Sequence, residues 1–314
     1  MELSVKMKGA VAAREAVGND FFGGWVPADI ELFRKYHTEV QGKPGYISDY
    51  FGVRTRTDNV PWAAALDGQL LTEPPIPDDG VRAEAIEYYA LLDSLDHTTA
   101  ETYAMVELGA SYAPWSALAG ALAARLGKQV KIRAVEASAY FHARIADNFA
   151  DNGLSGNGNN RDIDLTAIHG AVGIRRGAIS FPVITSAFQN GGQATANPES
   201  DFASRGIAYE QVPVCTLDEI FQGLDTIDFL HSDIQGSEGE VLLHGASQVS
   251  QKVRRMFIGT HSRKIEGDLL ECYHKHGWQL IRDRPVTFTH QTSLASLVGM
   301  TTRDGGQYWV NSRF

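Results

Sequence analysis

A doubly wound α/β fold with a mostly parallel sheet is the architecture this 314-residue chain predicts. The first ground is the stretch 103–127, YAMVELGASYAPWSALAGALAARLG. An apolar run there reaches Glu107 and Gly109, and after Pro114 an Ala/Leu-rich segment continues to Gly127. This reads as buried strand, tight turn and helix, with Pro suited to the first helical turn and Gly to the left-handed position past the last. The second ground is that strand-like and helix-like patterns alternate from residue 103 onward, as βαβ units do. The third is that four of the strands run out into polar residues: Glu107, Glu136, Asp233 and His261.

Composition narrows the class. Apolar residues make up 43% and charged residues 21%, as in a water-soluble globular protein. The net charge of −10 argues against nucleic acid or an anionic membrane as a partner. Cys215 and Cys272 form no CxxC pair and fit a reducing compartment. Lys6 and Lys8 are followed by an apolar segment that breaks at Arg14-Glu15, too short for a signal-peptide core. With no apolar run of about 18 residues, no membrane span is expected and the cytoplasm is the expected location.

In chain order, 1–80 is rich in aromatic and turn residues, from Phe21-Phe22-Gly23-Gly24-Trp25 to Pro61-Trp62. It reads as an extension capping a domain that spans 81–314 and either contacting substrate or serving as a purely structural or dimerisation arm, the last making a homo-oligomer. Pro74, Pro75 and Pro77 stiffen the link. A helix over 82–95 carries Ala85, Ile86, Tyr89 and Leu92 at helical spacing. After the strand–turn–helix unit come a strand over 130–135 ending on Glu136, a helix over 140–152 closed by Gly153, and a polar run over 156–160. A third strand lies around 165–168 and runs into Gly170-Ala171-Val172-Gly173; a short strand over 178–183 is expected beside it. The polar, Gly-rich stretch 185–206 reads as a lid. Thr216 with Glu219 forms a capping box that opens a helix ending at Gly223. A fourth strand, 227–230, runs out through His231-Ser232-Asp233, and Ser237 with Glu240 reads as a second capping box. A fifth strand, 253–258, ends at His261. A helix over 267–276 and strands over 278–281, 286–289 and 308–310 complete the expected sheet. No internal repeat is visible.

In an open parallel sheet the four polar strand ends share one edge and line one crevice, where such folds bind ligands. The turn after the first strand holds Gly109 without the further glycines of G-x-G-x-x-G, so the backbone is not built to approach a pyrophosphate. That counts against a nicotinamide dehydrogenase and suits S-adenosylmethionine (SAM), with Glu107 facing its ammonium. Glu136, after the second strand, is placed to accept hydrogen bonds from ribose hydroxyls. Asp233 precedes a turn at Gly236 and is suited to orienting an acceptor hydroxyl or holding a divalent cation. His261 is suited to taking the hydroxyl proton as a neutral imidazole near pH 7. His231, His274 and His276 read as structural or surface residues.

The segments VELGASYAPW, VEASAYF, VPVCTLDEIF, IDFLHSDIQGSEGEVLLHGA and FIGTHSRKIEG resemble the FkbM-type SAM-dependent methyltransferases over roughly 103–310. Members of that family typically read K-I-D-x-E-G-x-E at the fourth strand. This chain keeps Asp233, Gly236, Glu238, Val241, Leu242, Gly245 and Ala246, but has His231 where Lys is usual and Gln235 where Glu is usual. The resemblance implies a Rossmann-like class I methyltransferase fold, a seven-stranded mostly parallel sheet with an antiparallel last strand. It also implies O-methylation of a small-molecule, sugar or glycolipid hydroxyl. Carried over, Glu107, Gly109, Ser111 and Tyr112 surround the methionine end of SAM, Glu136 the ribose, and Ala137, Gly170 and Ala171 the adenine. Asp233 lies between cofactor and acceptor. A metal, if any, would sit on Asp233 and Glu238, and Gln235 counts against one. A methyltransferase-like fold serving only as a binding or scaffold module is the non-catalytic alternative.

Overall fold

The computed structural model describes residues 23–154, 162–195, 208–294 and 296–314. Phe21-Phe22, the polar run 156–160 and the second part of the 185–206 stretch lie outside them. The chain opens with helix α1 (Asp29–Tyr36) and a small antiparallel pair, β1 (Tyr46–Ser48) and β2 (Arg54–Arg56). Helix α2 (Ala85–His97) leads into β3 (Thr102–Leu108), α3 (Pro114–Arg125), β4 (Gln129–Glu136), α4 (Ala139–Asp151) and β5 (Ile163–His169). Three short strands follow: β6 (Ala171–Val172), β7 (Gly177–Pro182) and β8 (Tyr209–Cys215). The second half comprises α5 (Leu217–Ile220), β9 (Ile227–Ser232), α6 (Glu238–His244), α7 (Ala246–Lys252), β10 (Val253–Thr260), α8 (Arg263–Lys275) and β11 (Trp278–Arg284). It closes with β12 (Thr287–Phe288), β13 (Thr301–Arg303) and β14 (Gly305–Asn311).

Seven strands form one sheet in the order β11-β14-β10-β9-β3-β4-β5. Every pairing from β10 to β5 is parallel, and β14 runs antiparallel to both its neighbours. The order reverses between β3 and β9, so two crossovers leave in opposite directions and open a crevice at their carboxyl ends. This is the class I methyltransferase arrangement that the alternation of elements and the resemblance led us to expect. The two central strands are buried on both faces, which explains their near-continuous apolar runs: β9 is buried throughout and β3 from its second residue.

Several local expectations need correction. Strand β7 does not extend the main sheet beside β5; with β6 and β8 it makes a separate three-stranded sheet, because β8, hidden in the sequence as YEQVPVC, claims its edge. The 286–289 segment likewise pairs only with β13, outside the main sheet. The box expected between Ser237 and Glu240 does not form, since Ser237 is in a helical conformation and its side chain makes no cap bond. Glu238 does that work instead. Its carboxylate, wholly buried, accepts main-chain N–H bonds from Ile234 at 2.9 Å and Gly236 at 3.0 Å. The Thr216–Glu219 box is present as expected.

The region before residue 81 is welded to the sheet. Trp25, Phe33, Tyr36, Tyr50, Phe51 and Val53 share one apolar cluster with α2, Trp115 and the strands around Phe229 and Phe257. Arg125, at the end of α3, donates to the carbonyls of Phe51 at 2.5 Å and Gly52 at 3.1 Å. No helix among the described residues is long and apolar enough to cross a membrane.

Candidate active site

Strands β3 and β9 are tied together at their ends. Asp233 N donates to Leu108 O at 2.9 Å, while Gly109 N and Ala110 N both donate to Val135 O. Gly109 has φ +76°, and a Cβ there would lie 1.9 Å from the carbonyl oxygen of Asp233. Only glycine permits this approach. The turn so formed makes one wall of a cavity of about 460 Å³ at the carboxyl edge of the sheet.

The cavity gathers the residues singled out from the sequence. Glu107, Gly109, Ser111, Tyr112, Glu136, Ala137, Gly170, Ala171 and Asp233 all line it. His261 does not; it lies behind Asp233, with Nε2 3.4 Å from Asp233 Oδ1 and Nδ1 3.0 Å from Glu238 Oε1. The sequence had given no sign of Trp62, Arg82, Glu87 and Asp304, which also line the cavity. Trp62 comes from the N-terminal region, Arg82 from just before α2, Glu87 from α2 itself and Asp304 from the turn before β14. Their contribution depends on chain packing across long separations, which no local pattern encodes.

The lining is acidic, and the buried carboxylates are held in place by main-chain donors. Glu136 accepts from Ser111 N and from Ser138 N, one at each oxygen and both at 2.6 Å. Burial pushes its carboxyl up to about 7, against the opposing pull of those bonds. Glu107 accepts from Ser116 N at 2.8 Å and Trp115 N at 3.4 Å, anchoring the start of α3. Burial takes it, too, up to about 7, opposed by the charge of His231. The hydroxyl of Ser111 is buried without a hydrogen-bond partner among the described residues.

His231 is buried rather than at the surface. Its ring lies between Trp115 and Phe257, both stacked at 5.3 Å, and its Nε2 meets Glu87 Oε2 at 3.1 Å. Burial would lower the pKa of this imidazole, but the hydrogen bond and charge of Glu87 outweigh it and the net direction is upward. A hydrogen-bonded His231–Glu87 pair thus stands at the position where the family usually has lysine. The expectation of a neutral His261 near pH 7 also needs correction. Burial favours the neutral ring, yet Glu238 against it, with the charges of Asp233 and Asp304, raises it to about 9.

A family model described as the methyltransferase FkbM domain matches residues 107–283, more than half of the chain. The protein belongs to the FkbM methyltransferase family. A provisionally named methyltransferase of Jannaschia sp. (strain CCS1) is 29% identical over 252 residues, covering 79% of this chain and 87% of its own length. Among solved structures, the FkbM methyltransferase of Methylobacillus flagellatus KT is 16% identical, with a TM-score of 0.38 over 70% of this chain and 53% of that one. The METTL16 methyltransferase domain is 12% identical, with a TM-score of 0.37 over 70% of this chain and 64% of that one. The chain therefore spans about two thirds or less of these two solved chains, and the strand order above carries the fold assignment. Trp62, Arg82, Glu87 and Asp304, which line the cavity, fall outside the span of the FkbM match.

Proposed function

We propose that this FkbM methyltransferase uses SAM to methylate a hydroxyl oxygen of a small-molecule or saccharide acceptor. The observation that carries the reading is Glu136 at the end of β4, a buried carboxylate that lines the cavity beside the unpartnered hydroxyl of Ser111. A carboxylate at that strand end suits paired ribose hydroxyls. The residues present fit the rest of the donor: the acid Glu107 suits an ammonium, and the small residues Ala137 and Ala171 suit a wall against a flat base. When bound, SAM supplies a sulfonium-activated methyl group, so the chain's own work is chiefly positioning.

Holding two reactants in line contributes roughly 7–11 kcal/mol, more than a general base, which adds about 10²–10⁴-fold. Asp233 is the carboxylate suited to the acceptor side: it lines the cavity and its side chain is 39% exposed. It orients the hydroxyl and accepts its proton, while His261, held as a cation behind it, fixes its position. Trp62, from the N-terminal region, lines the cavity and forms an aromatic pair with Phe188 at 6.4 Å, which supports a share for that region in acceptor binding.

The test has two parts. Calorimetric titration of S-adenosylhomocysteine into the protein should show one site, and incubation with SAM and a panel of hydroxylated acceptors should release S-adenosylhomocysteine. No binding of S-adenosylhomocysteine, or binding of NAD in its place, would overturn the reading.

A further inference from the structure

Trp62 lines the cavity yet is 47% exposed, so its ring runs from the cavity out to the surface. Its indole N–H is spent on Val81 O at 2.7 Å, which fixes the ring and leaves it only apolar faces to offer. Phe188, at 69% the most exposed large apolar side chain among the described residues, stands beside it with ring centres 6.4 Å apart. A capped turn holds it there: Ser186 Oγ accepts from Phe188 N at 3.3 Å, and Gln189 Oε1 accepts from Ser186 N at 3.1 Å. Single exposed apolar residues are ordinary on a protein surface, whereas two aromatic rings fixed side by side at a cavity need a reason. Three residues past Phe188, Gly191 lines the cavity, and a Cβ there would lie 3.4 Å from Gln235 Oε1. The Gln235 amide in turn donates to Asp233 Oδ1 at 2.9 Å. Three residues span at most about 10–11 Å, so one short ligand can touch both the aromatic pair and Asp233.

The polar lining limits the charge that such a ligand can carry. Arg82 and His231 are the basic side chains that line the cavity among the described residues. The Arg82 side chain is buried and paired with Asp49 and, at 3.4 Å, with Asp79, while His231 is bonded to Glu87. Neither is free for a phosphate or a carboxylate. Asp304, exposed and 3.9 Å from His261 Nε2, is beyond hydrogen-bond reach of that ring and joins Asp233 in the lining. An anion in this place would face two carboxylates with no cation of its own. His261, held as a cation behind Asp233, already offsets part of their charge, so a positive ligand is not called for. Hydroxyl groups suit these carboxylates as donors, and C–H groups suit the aromatic faces. A sugar ring combines the two, with C–H groups on its faces and hydroxyls around its rim. We infer that the acceptor is an uncharged sugar ring whose C–H face lies on Trp62, flanked by Phe188, while its hydroxyls donate to Asp233 and Asp304. Asp304 is then a specificity-determining residue that closes the site to sugar phosphates and uronic acids. This names the acceptor of the methyl transfer proposed above and rests on that reading.

The test is saturation-transfer NMR on the full chain, with and without S-adenosylhomocysteine. The probes are the methyl glycosides of glucose, galactose and mannose, each beside its uronic acid counterpart. At least one neutral glycoside should bind with transfer to its ring C–H protons, and its uronic acid should bind at least about tenfold more weakly. Trp62→Ala and Phe188→Ala should each weaken the neutral glycoside at least about fivefold. Phe188 is bare enough that its loss should leave the fold intact, which a thermal melt checks. Asp304→Asn should narrow the gap between neutral and acidic forms, a gain that damage to the fold does not imitate. No neutral glycoside bound by the wild-type chain, equal binding of the uronic acids, unchanged binding in both aromatic variants or an unchanged gap in Asp304→Asn would overturn the proposal. Calorimetry with S-adenosylhomocysteine separates the two readings. Its binding with no glycoside bound sinks the sugar site alone; glycoside binding without it sinks the donor reading and leaves the sugar site standing.

Discussion

Replacing Glu136 by Gln tests the donor site at its best-defined point. The two carboxylate oxygens each accept one short main-chain bond, from Ser111 and Ser138. The amide keeps one of these and turns an NH₂ toward the other donor, leaving a buried N–H unpaired at about 1–3 kcal/mol. Against this, the substitution removes a carboxylate that burial has raised to about 7, so above that pH the fold no longer has to hold a desolvated charge. The two effects oppose each other and are of similar size, and at pH 8 the melting temperature should move by only a few degrees. Ligand affinity has no such compensation. Charge-assisted bonds to the ribose hydroxyls are lost, about 1.5–3 kcal/mol, or roughly 10- to 150-fold in Kd for S-adenosylhomocysteine. Calorimetry at pH 8 on both proteins, with thermal melts as a folding control, measures this directly. A variant that melts normally and binds within about twofold of wild type refutes the assignment of the ribose to Glu136.

Three further outcomes follow from the same geometry. Gly109→Ala puts a methyl group 1.9 Å from the Asp233 carbonyl at φ +76°, so strain of at least about 1–2 kcal/mol plus a displaced β9 end should appear in urea denaturation; unchanged stability would contradict the close approach. Glu107 and Glu136 both titrate near 7 in the fold and near 4.5 when unfolded, so between those values the folded chain holds protons that the unfolded chain has lost. Their contribution to stability should therefore be fully present below about pH 4.5 and fall as pH rises toward 7, and the Glu107→Gln/Glu136→Gln double variant should flatten that part of a stability profile; an unaltered slope would show the carboxyls to be unperturbed. Deleting the residues before 81 uncovers the partners of Phe33, Phe51 and Val53, each worth about 1.5–3 kcal/mol, against a total stability of roughly 5–15 kcal/mol. The remainder should be aggregated or non-cooperative, and a soluble fragment with a sharp melt would show the region to be a dispensable cap.

The sequence by itself determined the sheet and the edge at which the chemistry gathers. Strands β3 and β9 announce themselves as apolar runs because both faces are covered, β4 by the alternation of Val130, Ile132 and Ala134 and β10 by its apolar second half, and the polar residue at the end of each then emerges at the same rim. Glu107, Gly109, Glu136 and Asp233 were legible for that reason. What the sequence could not supply was the company they keep. Strand β8 escaped notice because its half-exposed pattern is weak and a proline interrupts it, and with it went the correct neighbour for β7. The pairing of His231 with Glu87, the place of Trp62 and Arg82 in the cavity wall, and the approach of Asp304 to His261 join residues far apart in the chain. Only tertiary packing decides these, because burial and facing charges set the protonation of His231 and His261, and neither exists until distant segments meet.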